Sequence, residues 1–309
     1  MINLREWALP VYTIMMQMAA GSMLVLWLIY TYVVRRGQQT TADRISHNSL
    51  LIIFITAAIA VGGSHFHLSR PFLSILALSN LGTSWLSREV AFTVAFVLLV
   101  GLVWVMQRYA VGAQRLRLVT GWLAVLMGLA TVYSMAHVYL LPPQVAWNSL
   151  TTPVAFFGAT FLLGSMAVSA LLLMNFYLMA LKNKSSPELD PYNAAIRPAL
   201  HAAAGGAVAA LIIELLNYAV QISLLTTGES SARASAELLL GLYGVLFVIR
   251  LALLGLGVTG LVVVHLWQRQ AHQPLLRWLV PVYSAFLLTL VSEVLGRFLF
   301  YAIHVRKGI

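Results

Sequence analysis

The sequence contains no cysteine among its 309 residues. It can therefore form no disulfide, and it has no thiolate to ligate an iron–sulfur cluster or a zinc ion, so any such centre must belong to another subunit. Charged residues are also scarce, at 9%, against roughly 25% in a typical soluble domain. Apolar residues make up 61% of the chain, and the mean hydropathy is +0.87. This composition excludes an ordinary soluble globule and indicates an integral membrane protein.

A helix that crosses the hydrocarbon layer needs about 20 mainly apolar residues. The sequence contains eight apolar runs of that length, each bounded by charges, prolines or polar clusters. Their predicted ranges are residues 8–34, 46–66, 89–108, 116–140, 153–181, 198–226, 236–267 and 276–303. We therefore predict an all-α, polytopic membrane protein with eight transmembrane helices, folded as a single helical-bundle domain over residues 1–309.

Positive charges are distributed unevenly among the loops. Eleven of the 19 Lys and Arg residues fall in the loops after spans one, three, five and seven, whereas six fall on the other side, which includes both termini. Because positive residues are retained on the cytoplasmic side, both termini are predicted to face outward, to the periplasm in a Gram-negative host. The same bias accounts for the net charge of +10, so the lipid bilayer, and no nucleic acid, is the partner that the charge indicates.

Four charged residues lie well inside predicted spans, away from the span ends, where charges are costly and often functional. Glu214 and Arg250 lie at similar depths in spans six and seven, and Glu293 and Arg297 are four residues apart in span eight. Each pair is interpreted either as an ion pair that fixes helix packing or as part of a substrate site. The sequence leaves both interpretations open.

A second group of polar residues is predicted at the outer membrane face. His67, Arg70, Arg88, Glu89 and His137 all fall at one depth, around an apolar segment. Oxidation of a quinol requires an apolar cleft, a hydrogen-bonding group such as His on a quinol oxygen, and a carboxylate that carries protons to water. The predicted layer contains each of these groups, although packed interfacial histidines are also common.

Several motifs resemble those of the membrane anchor subunit of the dimethyl sulfoxide reductase family. Supporting patterns occur near the start of span one, at the start of span five and in span eight. The motifs are His67-Leu68-Ser69-Arg70-Pro71, Asn80-Leu81-Gly82 and Leu86-Ser87-Arg88-Glu89-Val90, and the supporting patterns are Glu6-Trp7-x-Leu9-Pro10, Thr152-Pro153, Gly296-Arg297 and Phe300-Tyr301. One departure from the family is Ser69, where a glycine is usual.

The resemblance implies a haem-free anchor in a bacterial inner membrane that serves anaerobic respiration. Such an anchor oxidises menaquinol and passes the electrons to a four-cluster, ferredoxin-like iron–sulfur subunit, which supplies a molybdopterin catalytic subunit. By position, His67 matches the family's quinol-site histidine and Glu89 matches its acidic partner. Arg70, His65 and His137 are further candidates for the quinol site, although His65 and His67 lie on opposite faces of a helix. The sequence does not identify the terminal electron acceptor or donor of the complex.

Two alternative functions remain possible from the sequence. A dihaem cytochrome b needs two facing histidines at one depth for each haem, and His67 with His137 is the one obvious outer pair. A secondary transporter would account for the charged residues inside spans six to eight, but transporters typically show repeated halves and broken helices. Neither feature is evident in the sequence.

Overall fold

The computed structural model describes residues 8–64, 78–182, 189–271 and 275–306, and within these ranges the chain is helical, with no strand. Eight helices in the described part of the chain are long and apolar enough to cross a membrane, as predicted. One further helix, α7, is short. The bounds are α1 Ala8–Arg35, α2 Gln39–Ser64, α3 Trp85–Arg108, α4 Gln114–Val138, α5 Thr151–Lys182, α6 Leu189–Thr227, α7 Ser230–Glu237, α8 Gly244–Ala271 and α9 Leu279–Ala302.

The long helices pack as two groups of four. Helices α1 to α4 contact one another in the first group, and α5, α6, α8 and α9 form the second. The start of α1 and the end of α9 lie at the same end of the bundle, which we call the terminal end. There the loop after α4 pairs with the chain after α9, through a backbone bridge between Gln144 and Arg306. The indole of Trp147 also donates to the carbonyl of Phe300 at 2.8 Å.

The two groups meet where α1 crosses α5. A Cβ atom added to Gly21 would collide with the backbone of Thr160, and one added to Gly164 would collide with the backbone of Gly21. The absence of side chains at these two glycines therefore allows the helix backbones to touch, as small residues do in membrane helix packing. The crossing is also hydrogen-bonded, because the Gln17 amide donates to the carbonyl of Phe156 at 2.9 Å.

Several helix starts differ from the sequence-based expectation, since α2 begins at Gln39 and α6 at Leu189, before the predicted positions 46 and 198. The predicted span 89–108 places Glu89 at the start of the helix, but α3 begins at Trp85, and the hydroxyl of Ser84 accepts from the Ser87 amide at 3.3 Å. Glu89 therefore lies inside the helix, where its side chain can face a neighbour. The expected span 236–267 is also divided, because α7 and a π-helical segment, Leu238–Leu242, precede α8. The pattern of apolar residues runs through this break, so hydropathy alone does not reveal it.

Candidate functional site

Glu89 lies near the start of α3, at the terminal end of the bundle, and is buried, with 7% of its surface exposed. The hydroxyl of Tyr12, on α1, donates to Glu89 Oε1 at 2.9 Å. Thr93, one turn further along α3, has its hydroxyl 3.3 Å from the same Tyr12 hydroxyl. Residues four apart in a helix share a face, so α3 presents Glu89 and Thr93 together to Tyr12. These three residues, which we call the Glu89 site, form a buried polar contact between α1 and α3.

No basic side chain lies within ion-pair distance of Glu89 in the ranges that the structure describes. Its described neighbours are neutral hydroxyl groups instead. Burying a carboxylate away from water is costly unless it is hydrogen-bonded or neutralised. Because no described cation holds its charge, Glu89 can take up or release a proton without breaking an ion pair among these residues. This arrangement suits a proton acceptor.

The other predicted site residues are only partly covered by the structure. His65, His67 and Arg70 lie outside the described residues, so their predicted positions beside Glu89 stay predictions. His137 lies within α4, where its ring packs at centroid distances of 4.4 Å from Trp85 and 3.9 Å from Tyr133. Its Nδ1 atom is 2.8 Å from the carbonyl of Tyr133. The described contacts therefore do not join His137 to Glu89.

Arg88 was expected in the same polar layer as Glu89, and the structure gives it a local role. Its guanidinium donates to the carbonyls of Leu81 and Gly82 at 2.8 and 2.6 Å and lies 4.4 Å from the centre of the Trp85 ring. These contacts hold the turn that leads into α3. Arg88 therefore positions the first turn of α3 and makes its contacts away from the buried Glu89 site.

A tyrosine pair at the terminal end is not evident from the sequence. Tyr139 directly follows α4, and its hydroxyl lies 2.7 Å from that of Tyr301 on α9. Burial, together with neighbouring Tyr301, raises the pKa of Tyr139 well above its ordinary value. The Tyr139 hydroxyl is therefore a neutral hydrogen-bonding group at the terminal end. Tyr301 belongs to the Phe300-Tyr301 pattern noted above, but nothing in the sequence marks Tyr139 as its partner.

Arg297 is held at the seam between the two helix groups. Its Nη2 donates to Gln17 Oε1 at 2.7 Å, and its guanidinium carbon lies 3.9 Å from the centre of the Phe156 ring. The expected pairing of Arg297 with Glu293 within α9 is replaced by this contact with α1. Gln17 is the one glutamine inside the first predicted span. This amide in an apolar helix is the sequence signal that could have identified Gln17 as a partner for a buried charge.

Arg250 lies at the centre of a buried ion cluster in the second helix group. Its Nη2 is 3.1 Å from Glu293 Oε1 and 3.5 Å from Glu214 Oε2, and its Nε donates to the carbonyl of Ser292 at 3.2 Å. The guanidinium also contacts the Tyr218 hydroxyl. The expected pairing of Glu214 with Arg250 is thus present, with Glu293 as a second carboxylate. We call Arg250, Glu214 and Glu293 the Arg250 cluster.

Two glycines make room for this cluster. A side chain at Gly296 would overlap the guanidinium of Arg250, and a Cβ atom on Gly158 would lie 2.9 Å from Glu214 Cγ. A small cavity of about 40 Å³ adjoins the cluster on the terminal side, with Arg250, Glu293 and Arg297 in its wall. The close packing and the shared charges favour a structural role for the cluster.

Within the described ranges, no group of three or more His, Asp or Glu residues is placed to hold a metal ion. The described histidines include one close ring pair, His201 on α6 and His265 on α8, whose centroids are 5.2 Å apart. Both lie toward the end of the bundle opposite the Glu89 site. The sequence did not predict that these two rings would meet.

The fold and the site define a polytopic helical membrane protein with a buried, hydroxyl-bound carboxylate near one membrane face. The chain belongs to the DMSO reductase anchor subunit (DmsC) family, whose family model matches residues 1–303. It is a multi-pass protein of the bacterial inner membrane. The resemblance that the motifs predicted is therefore confirmed.

Two curated relatives are similar over almost their whole length. Both are described as the C subunit of anaerobic dimethyl sulfoxide reductase. The protein from Haemophilus influenzae is 28% identical over 308 residues, which cover 99% of this protein and 97% of the relative. The protein from Escherichia coli is 28% identical over 310 residues, which cover 98% of this protein and 96% of the relative. The similarity thus includes all eight membrane spans and the loops between them.

Proposed function

We propose that this protein is the quinol-oxidising membrane anchor of a molybdopterin oxidoreductase complex. In this proposal, menaquinol is oxidised at the Glu89 site, and its electrons pass to a four-cluster, ferredoxin-like iron–sulfur subunit. That subunit supplies a molybdopterin catalytic subunit, which reduces the terminal acceptor. The family and the names of the two relatives support an anchor role in a reductase complex. The lack of cysteine in this chain requires that the clusters reside in a partner.

The observation that carries the proposal is the environment of Glu89. This carboxylate is buried near one membrane face and accepts a hydrogen bond from Tyr12. A carboxylate at that depth, with neutral partners among the described residues, is suited to exchange protons between a membrane-dissolved substrate and water. The resemblance to the anchor family adds His67 as the hydrogen-bonding partner of the quinol, with Arg70 and His65 nearby.

The proposed reaction removes two electrons and two protons from each quinol. His67 accepts a hydrogen bond from one quinol hydroxyl, and Glu89 takes the two quinol protons one after the other, releasing each to water as the ring loses its two electrons. Both electrons leave one at a time to the nearest iron–sulfur cluster of the partner, and both protons leave to water at the terminal end. The product is the quinone, and Glu89 returns to its ionised form.

The proposal also places both termini, and with them the Glu89 site, on the periplasmic side. This sidedness can be tested directly because the chain contains no cysteine. We expect Arg233→Cys, at an exposed position on α7 near the terminal end, to react in intact spheroplasts with a membrane-impermeant maleimide. Gln38→Cys, exposed at the opposite end, is expected to react only after lysis. The reverse labelling pattern would show that both termini, and the Glu89 site, face the cytoplasm.

The decisive experiment replaces Glu89 by glutamine in the intact complex. Glutamine keeps the size and can still accept from Tyr12, but it cannot take up a proton. We expect at least about a hundredfold loss of quinol-dependent turnover, in line with the removal of a general base. Reduction of the terminal acceptor by an artificial donor that feeds the iron–sulfur subunit directly is expected to stay unchanged. Co-purification of the partner subunits measures assembly.

The matched control for this variant is Glu237→Gln. Glu237 is an exposed carboxylate on α7, so its replacement is expected to leave quinol turnover within about twofold of the unmodified protein. His67→Ala tests the residue assigned by resemblance and is expected to match the loss in Glu89→Gln. Normal quinol turnover in Glu89→Gln, with the complex assembled, would reject the assignment of the site.

A further inference from the structure

A cavity of about 280 Å³ lies in the interior between α1, α2, α5 and α9, where the two helix groups meet. Most of the side chains that line it are apolar, such as Ala19, Ile53 and Phe286. The polar exceptions are the hydroxyl groups of Ser22, Thr56 and Tyr283. Because none of the described residues in its wall is charged, the cavity suits a hydrocarbon and not a head group.

The cavity lies deeper in the membrane than the Glu89 site, and α1 contributes residues to both. Ala19, in the cavity wall, follows Tyr12 by seven residues, which is two helical turns on the same helix face. At roughly 1.5 Å per residue the cavity therefore begins about 10 Å deeper in the membrane than the Tyr12 backbone. Tyr12 in turn donates to Glu89. A molecule with a polar head at Glu89 and a chain pointing into the bilayer would pass this cavity.

A half-exposed stripe on α1 connects the two levels. Val11, Met15 and Met18 are each partly exposed, although most of the neighbouring α1 side chains are buried. Their spacings of four and three residues place them on one helix face, and Met18 also lines the cavity. This stripe forms an apolar path from the level of Tyr12 to the cavity.

The cavity also opens toward lipid. Ile52, on α2, lines it and has 42% of its surface exposed on the outside of the bundle. A chain that enters from the Glu89 level can therefore leave sideways into the bilayer. A dry apolar cavity of about 150 Å³ accommodates benzene, so a cavity of about 280 Å³ has room for roughly two five-carbon isoprenoid units.

From these observations we infer that the cavity binds the isoprenoid tail of the quinol whose ring is oxidised at the Glu89 site. This inference rests on the proposed function and extends it to substrate selection. The first isoprenoid units would fill the space between α1, α2, α5 and α9, and the rest of the tail would pass Ile52 into lipid. Contacts that are remote from the reacting ring lower KM for a tailed substrate without taking part in the chemistry.

The test compares two quinols with the same naphthoquinol ring in the intact, membrane-reconstituted complex. One carries a tail of several isoprenoid units, and the other carries a methyl group in its place. Thr56→Trp fills the cavity from a partly exposed position on α2. Ile55→Trp is the matched control, because Ile55 neighbours Thr56 but is 45% exposed to lipid and lies outside the cavity wall.

We expect Thr56→Trp to raise KM for the long-tailed quinol about tenfold, the effect of losing roughly two buried methylene groups from contact. KM for the tail-less quinol is expected to stay within about twofold, and Ile55→Trp is expected to change neither value. Equal changes for both quinols, or no change for either, would overturn the inference. The proposed function fails separately, if Glu89→Gln leaves both quinols with normal turnover.

A second measurement uses the unmodified complex and does not depend on how the variants fold. A long-tailed quinone with a photoreactive group in its second isoprenoid unit is expected to label the α1 segment around Met18 or the α2 segment around Thr56. Excess long-tailed quinol is expected to suppress this labelling. Labelling of the same segments by a photoreactive phospholipid acyl chain, unaffected by excess quinol, would assign the cavity to lipid and overturn the inference.

Discussion

The two buried acidic regions of this protein are built in opposite ways. In the Arg250 cluster, two carboxylates share one guanidinium at 3.1 and 3.5 Å, and Gly296 lets α9 pack directly against it. At the Glu89 site a single carboxylate faces the hydroxyl of Tyr12, with Thr93 behind it. Both regions are buried between helices, but only the first contains its own countercharge among the described residues.

This difference supports our proposal that the Arg250 cluster stabilises the fold and that the Glu89 site exchanges protons. An ion cluster in a low-dielectric interior is costly to disturb, because removing one member leaves the others uncompensated. A carboxylate bound by hydroxyls can change its protonation state while its neighbours stay in place. Substitutions in the Arg250 cluster should therefore affect folding first, and substitutions at the Glu89 site should affect turnover first.

The largest effect is expected when Arg250 is removed. Arg250→Met leaves Glu214 and Glu293 buried without this cation, and it is expected to lower the free energy of unfolding by about 3 to 5 kcal/mol. Thermal unfolding of the purified chain in detergent measures the loss. Arg233→Met, at an exposed position on α7, is the control and is expected to change stability by less than about 0.5 kcal/mol.

A compensated variant sharpens the same comparison. Arg250→Met combined with Glu214→Gln and Glu293→Gln removes all three charges together, and it is expected to recover most of the lost stability. If Arg250→Met is as stable as the Arg233→Met control, the Arg250 cluster does not stabilise the fold. That result would favour a functional role for the cluster.

An intermediate effect is expected from a side chain at Gly296. Gly296→Val would push the Arg250 guanidinium out of place and is expected to cost about 1 to 3 kcal/mol. Gly255→Ala, in α8, is the matched control, because no described atom lies within 4 Å of a Cβ atom there. Replacing a mid-helix glycine by alanine is itself expected to stabilise by up to about 1 kcal/mol. Equal melting temperatures for the two variants would contradict the close contact between Gly296 and the Arg250 guanidinium.

A smaller effect, on turnover and not on folding, is expected at the Glu89 site. Tyr12→Phe removes the hydroxyl that donates to Glu89 but keeps the ring. Because one hydrogen bond to a charged group is worth about 1.5 to 3 kcal/mol, quinol turnover is expected to fall by roughly tenfold or more. Tyr109→Phe, at an exposed position, should leave it unchanged. A folding defect in Tyr12→Phe without a turnover defect in the assembled complex would make the site structural.

The smallest effect is expected at the opposite end of the bundle. Arg117 and Asp43 form an ion pair at 3.2 Å, but the Asp43 side chain is 27% exposed and water screens the interaction. Asp43→Asn keeps an acceptor for Tyr30 and is expected to cost at most about 1 kcal/mol. If Asp43→Asn lowers the stability as much as Arg250→Met, the difference in burial does not explain how much the Arg117–Asp43 pair and the Arg250 cluster each contribute to stability.

Hydropathy predicted the number of spans and most of their boundaries, because a membrane helix must be apolar over its whole length. It did not predict the break before α8 or the start of α3 at Trp85. The apolar pattern continues through the first of these, and Ser84, which caps α3, lies outside the predicted span 89–108. Helix ends depend on local hydrogen bonds, which a composition window does not resolve.

Glu89 was predicted from the sequence through its motif, but its partners were not. Tyr12 is 77 residues away in the chain and Gln17 is 280 residues from Arg297, so these contacts exist only because α1 packs beside both α3 and α9. The expected pairing of Glu293 with Arg297 illustrates the same limit. Their spacing permits a pair within α9, but neighbouring helices provide Arg250 for one and Gln17 for the other.

The sequence alone determined that this chain is a helical membrane protein of eight spans and, through its motifs, which family it belongs to. The number of spans follows from the free-energy cost of placing polar groups in hydrocarbon. That cost depends on the type of each residue and not on its three-dimensional neighbours, so it can be read along the sequence. The tertiary structure decided which buried charges neutralise one another, which carboxylate faces hydroxyl groups, and where a cavity opens beneath it. Such features depend on distances between helices, and side-chain packing sets those distances only when the whole bundle is assembled.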